Sequence, residues 1–392
     1  MTEFILTLNA GSSSIKFALF DAADPPVEHM RGQVDGIGTR PHLAAEVDGE
    51  EVADRDVPEV SGHGPALARI LELVEERNPD ARVPVVGHRI VHGGPDHAEP
   101  VVIDAEVERY LHTLEPFAPL HQPHNLAGVA AAREAFPEAL QVACFDTAFH
   151  RTLPWEAETF ALPREYYEKG VRRYGFHGLS YDYVASELAR IAPEVARGRV
   201  IVAHLGNGAS MAALSDGRSQ GSTMGLTALD GLPMGTRCGQ IDPGVLLYMM
   251  ETEGKDAAEI SDILYRRAGL LGLSGLSNDM RALEESGTEA AEAAISYFTF
   301  RIRREAGALA SVLGGLDALV FTGGIGEHSE RVRREVCAGL GWMGVALDAA
   351  RNRASETVIS AADSRVGVYV IPTDEEMTIA RAAMRLLSGA AG

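Results

Sequence analysis

The sequence predicts an α/β protein built from two related halves, and three observations lead to this expectation. The chain has 392 residues, more than one hydrophobic core of ordinary size holds. Short apolar runs that end in glycine alternate with segments of helical periodicity. The pattern of strand, glycine-rich turn and strand occurs twice, in "FILTLNAGSSSIKFALFD" and in "RVIVAHLGNGASMAALSDG". We therefore expect a duplicated domain, with the boundary near residue 150.

The first half continues with alternating elements. The Asp-Gly pair of "EVDGEEV" predicts a β-hairpin. Apolar residues recur at helical spacing in "GPALARILELVEER" and in "HNLAGVAAAREAF". In contrast, "VPVVGHRIVHGG" and "LQVACFDTAF" begin as apolar strands and end in glycines or in a loop. These elements predict a sheet covered by helices.

The second half repeats the opening theme. When the two glycine turns are aligned without gaps, four positions are identical: Gly11 with Gly206, Ala18 with Ala213, Leu19 with Leu214 and Asp21 with Asp216. A third turn follows in "LDALVFTGGIGEHSERVRREV", where a strand runs through glycines into a helix. The last helix, "EEMTIARAAMRLLSG", is expected to return to the first half. The predicted domains are residues 1–149 with 376–392, and residues 150–375.

Composition excludes several classes of function. Hydrophobic residues make up 46% and charged residues 23% of the chain, as in soluble globular proteins. The net charge of −21 argues against nucleic acid or an anionic membrane as a partner. The three cysteines, Cys144, Cys238 and Cys337, lack the spacing of a zinc site or a disulfide framework. No signal peptide or membrane-spanning run is visible, so we expect a cytoplasmic protein.

The glycine turns predict phosphate binding. "LNAGSSSIKF" is not a P-loop, because no glycine precedes Lys16 and no serine or threonine follows it. Each turn alone is a weak signal, since tight turns of any large α/β protein contain glycine. Three such turns after apolar strands favour a nucleotide site, and tight turns alone do not explain the accompanying asparagine, serines and lysine.

Several polar residues complete a candidate site for a small anion. Arg89 in "GHRIVHGG" and Arg237 in "GTRCGQIDPG" have planar guanidinium groups that suit carboxylate and phosphoryl oxygens. Asp146 follows a strand, where a carboxylate could order the shell of a magnesium ion. His177 in "YGFHGLSY" could donate a hydrogen bond to developing charge. The acidic residues of "IPTDEEMTIA" also suit a helix N-terminus.

Taken together, the motifs resemble the acetate kinase family in order and over essentially the whole chain. The resemblance rests on "NAGSSSIKF", "GHRIVHGG", "PLHQPHN", "FDTAFHRTLP", "YGFHGLSY", "HLGNGAS", "MGTRCGQIDPG", "NDMR", "GGIGE" and "PTDEE". It implies two duplicated actin-like ATPase (ribonuclease H-like) domains around a nucleotide cleft, as in sugar kinases, heat-shock chaperones and actin. It also implies a homodimer that interconverts ATP and acetate with ADP and acetyl phosphate, using Mg²⁺ or, in its place, Mn²⁺.

The resemblance also implies roles for individual residues. Asn9 and Glu375 would belong to the metal site, Arg89 would bind the substrate carboxylate, and Asp146 would be the catalytic carboxylate. His177 and Arg237 would stabilise the transition state. Residues that would line the acyl pocket are Val91, Leu120 and Phe176. Residues that would bind ATP are Lys16, His204, Leu205, Gly206, Asn207, Gly208, Asp279, Met280, Arg281, Gly324, Ile325, Gly326, Glu327 and His328.

Acetate is already ionised at neutral pH, so we expect Asp146 to order metal-bound water or to hold Arg237 instead of acting as a general base. Three positions depart from the family's common pattern. Ala228 stands in "LTALDG" where a proline is common, and a smaller wall there could admit propionate. His328 and Asp374 each stand where an asparagine is common, and Asp374 adds negative charge near the expected metal.

Two alternatives remain open from the sequence. One is a propionate kinase of the same family. The other is a non-catalytic, actin-like ATP-binding module, which would leave Arg89 and Arg237 without a small anion to bind.

Overall fold

The computed structural model describes residues 2–11, 14–79, 81–119 and 121–390. The strands of this part of the chain are β1 Thr2–Ala10, β2 Ile15–Asp21, β3 Val27–Asp35, β4 His42–Val47, β5 Glu50–Asp56, β6 Ala81–Ile90, β7 Val101–Val102, β8 Leu140–Phe145, β9 Arg199–Leu205, β10 Ala209–Ser215, β11 Arg218–Ser222, β12 Ala318–Thr322 and β13 Gly367–Val370.

The helices of the same part of the chain are α1 His63–Arg77, α2 Ala105–Thr113, α3 Gln122–Ala135, α4 Trp155–Glu158, α5 Arg164–Glu168, α6 Gly178–Ile191, α7 Pro193–Ala196, α8 Pro243–Glu251, α9 Ala257–Asp262, α10 Gly269–Ser274, α11 Met280–Ser286, α12 Glu289–Leu313, α13 Gly323–His328, α14 Glu330–Ala338, α15 Ala349–Arg353 and α16 Glu375–Ala390. Within the described residues, none of these helices has both the length and the apolar character that crossing a bilayer requires.

The chain divides into two compact units. The first comprises Met1–Phe149 with Asp374–Gly392, and the second comprises His150–Thr373. Asp374 and Glu375, at the start of the last helix, therefore group with the first unit.

The first unit is built on a mixed sheet with the strand order β5-β4-β3-β2-β1-β6-β8-β7. β1 to β5 pair antiparallel in sequence, whereas β1, β6 and β8 run parallel. The predicted hairpin is present: Asp48 and Gly49 between β4 and β5 both have positive φ, as a type I′ turn requires. Parallel strands in the centre of a sheet are covered on both faces, which is why β1 is buried from Phe4 to Ala10.

Helices cover this sheet as their apolar spacing predicts. α1 buries Ala66, Leu67, Ile70, Leu73 and Val74, which share one helical face, against a core that includes Phe17 and Leu43. α3 packs Leu126 and Val129 against Ile90 and Phe145 in a second apolar cluster. These two apolar clusters therefore hold α1 and α3 against the sheet of the first unit.

The second unit repeats the central arrangement with the strand order β11-β10-β9-β12-β13. β9, β10 and β11 pair antiparallel, and β9, β12 and β13 run parallel. The same order and directions hold for β3-β2-β1-β6-β8 in the first unit. The long helix α12 buries Phe298, Ile302 and Leu309 and packs on β9, β10 and β11. The predicted α/β class with two related sheets is confirmed.

Candidate active site

The ends of three neighbouring strands in the first unit bring together the polar residues that the sequence singled out. β1, β6 and β8 run parallel, so their carboxyl ends meet at one edge of the sheet. Asn9 is the second-last residue of β1, Arg89 is the second-last residue of β6, and Asp146 directly follows β8. This edge is where open α/β sheets bind their ligands.

Arg89 and Asp146 form a bidentate ion pair. Arg89 Nη2 donates to Asp146 Oδ2 at 2.6 Å, and Arg89 Nε lies 3.1 Å from each carboxylate oxygen. Arg89 Nη1 donates to Asn9 Oδ1 at 3.0 Å. Asp146 is only 1% exposed, whereas the Arg89 side chain is 18% exposed. The carboxylate is thus an internal support, and the guanidinium reaches the solvent side.

Surrounding charges keep the guanidinium protonated. Burial alone would lower the pKa of Arg89, but the negative charges of Asp146 and Glu375 outweigh it and raise that pKa above its ordinary value. Burial raises the pKa of the Asp146 carboxyl, against the attraction of Arg89. Arg89 is therefore a charged, partly exposed arginine beside the carboxylates of Asp146 and Glu375, and it can bind a small anion.

The N-terminus of α16 adds two carboxylates to this site. Asn9 Nδ2 donates to Glu375 Oε2 at 3.1 Å and to Glu376 Oε1 at 3.3 Å. α16 can approach so closely because residue 87 of β6 is glycine: a Cβ there would lie 2.4 Å from Ile379 Cγ2. Burial, and then the neighbouring Glu375, raise the pKa of Glu376.

Asp374, one of the three positions that depart from the pattern of the resemblance, caps the same helix. Its Oδ1 accepts a hydrogen bond from the backbone N–H of Met377 at 2.8 Å. Arg31 Nη2 lies 3.9 Å from Asp374 Oδ2 and partly offsets its charge. Burial still raises the pKa of Asp374 above its ordinary value.

The donor atoms at this edge suit a hard divalent cation. Asn9 offers an amide oxygen, and Asp146, Glu375 and Glu376 offer carboxylates, with no sulfur or imidazole ligand among these four. Among the described residues, no three His, Cys, Asp or Glu side chains are grouped to hold a metal by themselves. Magnesium commonly binds through one or two carboxylates together with water and substrate phosphates, so these residues fit that ion.

Two buried amides on α3 hold the ends of β1 and β6, and the sequence analysis did not identify them. Asn125 Nδ2 donates to the Ala10 carbonyl at 2.7 Å, and Asn125 Oδ1 accepts from the Val91 N–H at 3.0 Å. Gln122 exchanges hydrogen bonds with the backbone of His92 at 3.1 and 3.2 Å. The motif "PLHQPHN" contained both residues, but their position inside a helix gave no sign of this bridging role.

The remaining first-unit predictions have different outcomes. Lys16 lies opposite Asn9 in the β1–β2 register and is exposed. Val91 is buried directly after β6. Leu120 of the expected acyl pocket lies outside the described residues, as do the serines at positions 12 and 13 of the first glycine turn.

In the second unit, two stacked imidazoles lie beside the second glycine turn. The rings of His177 and His204 are 4.2 Å apart between centroids and 20° from parallel. His177 Nδ1 lies 2.8 Å from Ser210 Oγ, and His204 Nδ1 lies 2.8 Å from Ser180 Oγ. His177 precedes α6 with φ of 58°, a left-handed conformation that few residues other than glycine adopt.

Gly208 leaves room between two of the predicted catalytic groups. A Cβ at this position would lie 3.2 Å from His177 Nε2 and 3.4 Å from Arg237 Nη2. Arg237 is oriented by a 2.8 Å hydrogen bond from its Nη1 to the Ala228 carbonyl. Phe176, just before His177, is buried and accepts a hydrogen bond at its carbonyl from His150 Nε2. The predicted pair His177 and Arg237 therefore converges on the backbone of Gly208.

The second unit also contains a cavity of about 730 Å³, within the usual size range of small-ligand sites. Its lining includes residues of the glycine turn after β9, the N-terminus of α11, and α13. The predicted nucleotide residues that line it are Gly206, Asn207, Asp279, Met280, Arg281, Gly324, Ile325 and His328. Asp279 caps α11 by accepting from the Arg281 N–H at 2.8 Å.

Other predicted nucleotide residues do not line this cavity. Glu327 Oε1 accepts from the N–H groups of Gly323 at 2.8 Å and of Thr373 at 3.2 Å, so it closes the turn at α13. The lining of this cavity also lacks four other residues that were predicted to bind the nucleotide, His204, Leu205, Gly208 and Gly326. The lining adds three residues that the sequence analysis missed, Asn278, Glu284 and Ser329. Asn278 begins the quoted "NDMR", and Glu284 lies one helical turn after Met280, which are the signals that could have indicated them.

Comparison with known proteins identifies the family of this chain. The profile of the acetokinase family matches residues 4–381. The acetate kinase of Methylocella silvestris is 55% identical over 399 aligned residues, covering 99% of this chain and 98% of that protein.

Solved structures give the same result. A propionate kinase from Francisella tularensis superposes with a TM-score of 0.91 at 35% identity, covering 98% of this chain and 99% of that chain. The Porphyromonas gingivalis acetate kinase superposes with a TM-score of 0.87 at 39% identity, covering 98% and 100%. The actin-like ATPase fold is therefore confirmed, and the chain belongs to the acetokinase family, whose members are kinases that transfer phosphate between ATP and acetate.

Proposed function

We propose that this chain catalyses the reversible transfer of the γ-phosphoryl group of ATP to acetate, which yields ADP and acetyl phosphate. The proposal assigns the carboxylate to the first unit and the nucleotide to the second. The observation that carries it is the charged Arg89, held by Asp146 and Asn9 at the end of three parallel strands.

Arg89 has the hydrogen-bonding capacity to bind a carboxylate. A guanidinium carries five N–H donors. Its contacts with described residues use Nε, one N–H of Nη2 and one N–H of Nη1. One N–H on each Nη nitrogen then remains, so two donors are available for the two oxygens of a carboxylate ligand.

Asp146 supports this arrangement as a positioning residue. Acetate brings no proton that must be removed at neutral pH, and the Asp146 carboxylate is already bonded to Arg89. The sequence analysis expected this carboxylate to order metal-bound water or to hold Arg237. In the structure the guanidinium bonded to it is that of Arg89, which was not the expected partner.

Replacing Asp146 with asparagine tests this role. Asp146→Asn keeps the shape but removes the charge that orients Arg89, so we expect the KM for acetate to rise and kcat to fall together at all pH values. A general base would instead give a loss of kcat that depends on pH. A pH profile of kcat and KM distinguishes the two, and a selective, pH-dependent loss of kcat would contradict the positioning role.

The nucleotide is assigned to the cavity of the second unit. The glycine turn after β9 and the strand-to-helix turn at α13 present backbone N–H groups, which bind phosphates without a large positive field. This agrees with the net charge of −21, since the field of the whole chain repels anions. Lys16, on β2 of the first unit, stays the residue that the resemblance implies for the nucleotide phosphates.

Phosphoryl transfer depends on positioning and charge stabilisation. Arg237 would neutralise the equatorial oxygens of the transferring group, and His177 would donate a hydrogen bond to them. Asn9 and Glu375, with Asp146 nearby, would hold Mg²⁺, which shields the phosphate charges when it is bound.

A hydroxamate assay for acyl phosphate tests the proposal. Purified protein with ATP and Mg²⁺ is incubated with acetate, propionate or butyrate, and we expect acetyl hydroxamate as the main product. Acyl phosphate formed from none of these acids would overturn the kinase proposal and favour a non-catalytic ATP-binding module.

Propionate is the second candidate substrate, favoured by Ala228. The backbone carbonyl of Ala228 orients Arg237, and the alanine side chain is smaller than the proline that is common in the family. One methylene changes discrimination by about 1–3 kcal/mol, so the same assay with Ala228→Pro as the comparison measures the effect. We expect the variant to lower the rate with propionate relative to acetate.

A homodimer is the proposed assembly, supported by α8. This helix, with the sequence "PGVLLYMME", has no buried residue within the unit, and Leu247 and Tyr248 are 55% and 54% exposed. Exposed apolar patches of this kind mark protein interfaces. A cytoplasmic location stays a prediction from the sequence.

A further inference from the structure

Ser210 lies between a buried tyrosine and His177. The Tyr181 hydroxyl and Ser210 Oγ are 2.6 Å apart, and Ser210 Oγ lies 2.8 Å from His177 Nδ1. Tyr181 and Ser210 are both fully buried. The three polar groups form a chain of short hydrogen bonds that ends on the imidazole.

The acidities of these groups set the direction of the chain. A phenol is a better hydrogen-bond donor than an aliphatic hydroxyl, and burial raises the pKa of Tyr181 above its ordinary value, so its hydroxyl keeps the proton that it donates. A neutral imidazole nitrogen is a better acceptor than a phenolic oxygen. Tyr181 therefore donates to Ser210, and Ser210 donates to His177 Nδ1. A neutral imidazole that accepts at Nδ1 carries its proton on Nε2.

A second chain of two hydroxyl groups ends on the stacked imidazole of His204. Thr373 Oγ1 donates to Ser180 Oγ at 2.8 Å, and Ser180 Oγ lies 2.8 Å from His204 Nδ1. Because Ser180 accepts from Thr373, its own proton is available for His204 Nδ1. Both rings of the His177–His204 stack thus receive a hydroxyl proton at Nδ1.

We propose that Tyr181 and Ser210 are positioning residues that hold His177 in the neutral Nε2–H form, so that it faces the transferring phosphoryl group as a hydrogen-bond donor. This rests on the proposed kinase function. His177 Nε2 and Arg237 Nη2 approach the same point beside Gly208, so a donor at Nε2 complements the arginine. With the other tautomer, Nε2 would present a lone pair to anionic oxygens and repel them.

The left-handed backbone conformation of His177 is consistent with a functional role for its imidazole ring. Its φ of 58° is unfavourable for a residue with a side chain and persists only where the surroundings impose it. At His177 the ring is held from two sides, by the hydrogen bond with Ser210 and by the stack on His204.

The proposal is tested by NMR of the full chain with ¹⁵N-labelled histidine, because two-bond proton–nitrogen correlations report which ring nitrogen carries the proton. His177 is assigned by comparison with His177→Gln. In the wild type we expect the Nε2–H pattern for His177. In Tyr181→Phe and Ser210→Ala we expect the pattern to change to a mixture of tautomers.

Kinetics provide the second measurement. In metal sites, substitutions of residues that orient a ligating imidazole typically cost about 10–100-fold in metal affinity or activity, and we use this as the scale for an imidazole that binds a phosphoryl group. We expect Tyr181→Phe and Ser210→Ala each to lower kcat by about 10–100-fold, with the KM values for ATP and acetate little changed. Ser210→Thr, which keeps the hydroxyl, should restore the Nε2–H pattern and most of kcat.

Thr299→Val is the matched control. Thr299 is also buried, and its Oγ1 donates to the Ser296 carbonyl at 3.2 Å within α12, away from His177 and Tyr181. We expect this variant to keep the His177 signals and the wild-type kcat.

An Nδ1–H or fully protonated His177 in the wild type would overturn the proposal, and so would an unchanged tautomer in both Tyr181→Phe and Ser210→Ala. The tautomer is measured without turnover, so its outcome is independent of whether the wild type forms acyl phosphate. Failure of the hydroxamate assay would refute the kinase function while leaving the tautomer assignment to stand or fall on the NMR result.

Discussion

At the scale of single residues, Arg89 is the group whose chemistry is hardest to replace. Its Nε and Nη2 face Asp146 while Nη1 reaches Asn9, so one planar group connects two strand ends and still offers donors to a ligand. A lysine ammonium in the same place is a point charge without this fork. The geometry of the arginine, beyond its charge, is what the site requires.

Arg89→Lys is therefore expected to lose activity although the charge is kept. Loss of a positioned donor of this type costs about 3 kcal/mol, so kcat/KM for acetate should fall by about 100-fold or more. Steady-state kinetics with acetate as the varied substrate measure the effect. Arg82→Lys is the control on the same strand, since Arg82 forms an exposed pair with Glu3 and should behave as wild type. A kcat/KM within a few-fold of wild type for Arg89→Lys would contradict the assignment.

At the scale of elements, the sequence predicted the strands and turns well because their signals are local. Short apolar runs that end in glycine correspond to β1, β6, β9 and β12, and the two strand–turn–strand units are present. The predicted site residues Asn9, Arg89 and Asp146 also come together, since each ends or follows a strand of one parallel set.

The groups that orient these residues were not predictable from local pattern. Asn125 acts across 34 residues to Val91 and across 115 residues to Ala10. Ser210 follows a glycine turn and lies on strand β10, yet its role in the further inference depends on Tyr181 of helix α6. Such contacts depend on how the elements pack, which neither periodicity nor turn chemistry reports.

The bridge formed by Asn125 gives a prediction about how α3 stabilises the sheet edge. Asn125→Leu keeps the volume but leaves the Ala10 carbonyl and the Val91 N–H without their side-chain partner in a buried position. Each unsatisfied buried group costs about 1–3 kcal/mol, so we expect the free energy of unfolding to fall by about 2–4 kcal/mol. Urea denaturation measures this loss.

The activity of the same variant shows whether the bridge also positions the site. Because Ala10 and Val91 flank Asn9 and Arg89 in sequence, we expect Asn125→Leu to raise the KM for acetate at temperatures where the protein stays folded. Asn78→Leu is the comparison, since Asn78 bonds to the Val74 carbonyl at the end of α1. A stability loss no larger than that of Asn78→Leu, with an unchanged KM, would show that the bridge is dispensable.

At the scale of the whole molecule, the exposed apolar side chains of α8 predict that the protein is a homodimer. A charge placed in an apolar interface must be desolvated, so Leu247→Glu should convert the proposed homodimer to monomer. Sedimentation velocity measures the mass. Trp342→Glu is the control, because Trp342 is 74% exposed and lies outside α8, and it should keep the dimer. A monomeric wild type, or a Leu247→Glu variant that stays dimeric, would refute the role of α8.

Buried neutral histidines in both units predict how the molecule responds to acid. Burial lowers the pKa of His88 in the first unit to about 4, and that of His150 in the second unit to about 4. Each is below the ordinary value of about 6.5 that holds in the unfolded chain. Between pH 6.5 and about pH 4, the unfolded state binds more protons than the folded state, so the free energy of unfolding falls as the pH falls.

Each of the two histidines should contribute a slope of about 1.4 kcal/mol per pH unit in this window and none well above it. Urea denaturation between about pH 7.5 and pH 4.5 measures the slope for the wild type, His88→Gln and His150→Gln. Each variant should lose one histidine's share of the slope, because glutamine does not titrate. The measurement near pH 7.5, where both histidines are neutral in either state, separates the packing cost of each substitution. A variant that keeps the full wild-type slope would show that its histidine is not the group that acid protonates on unfolding.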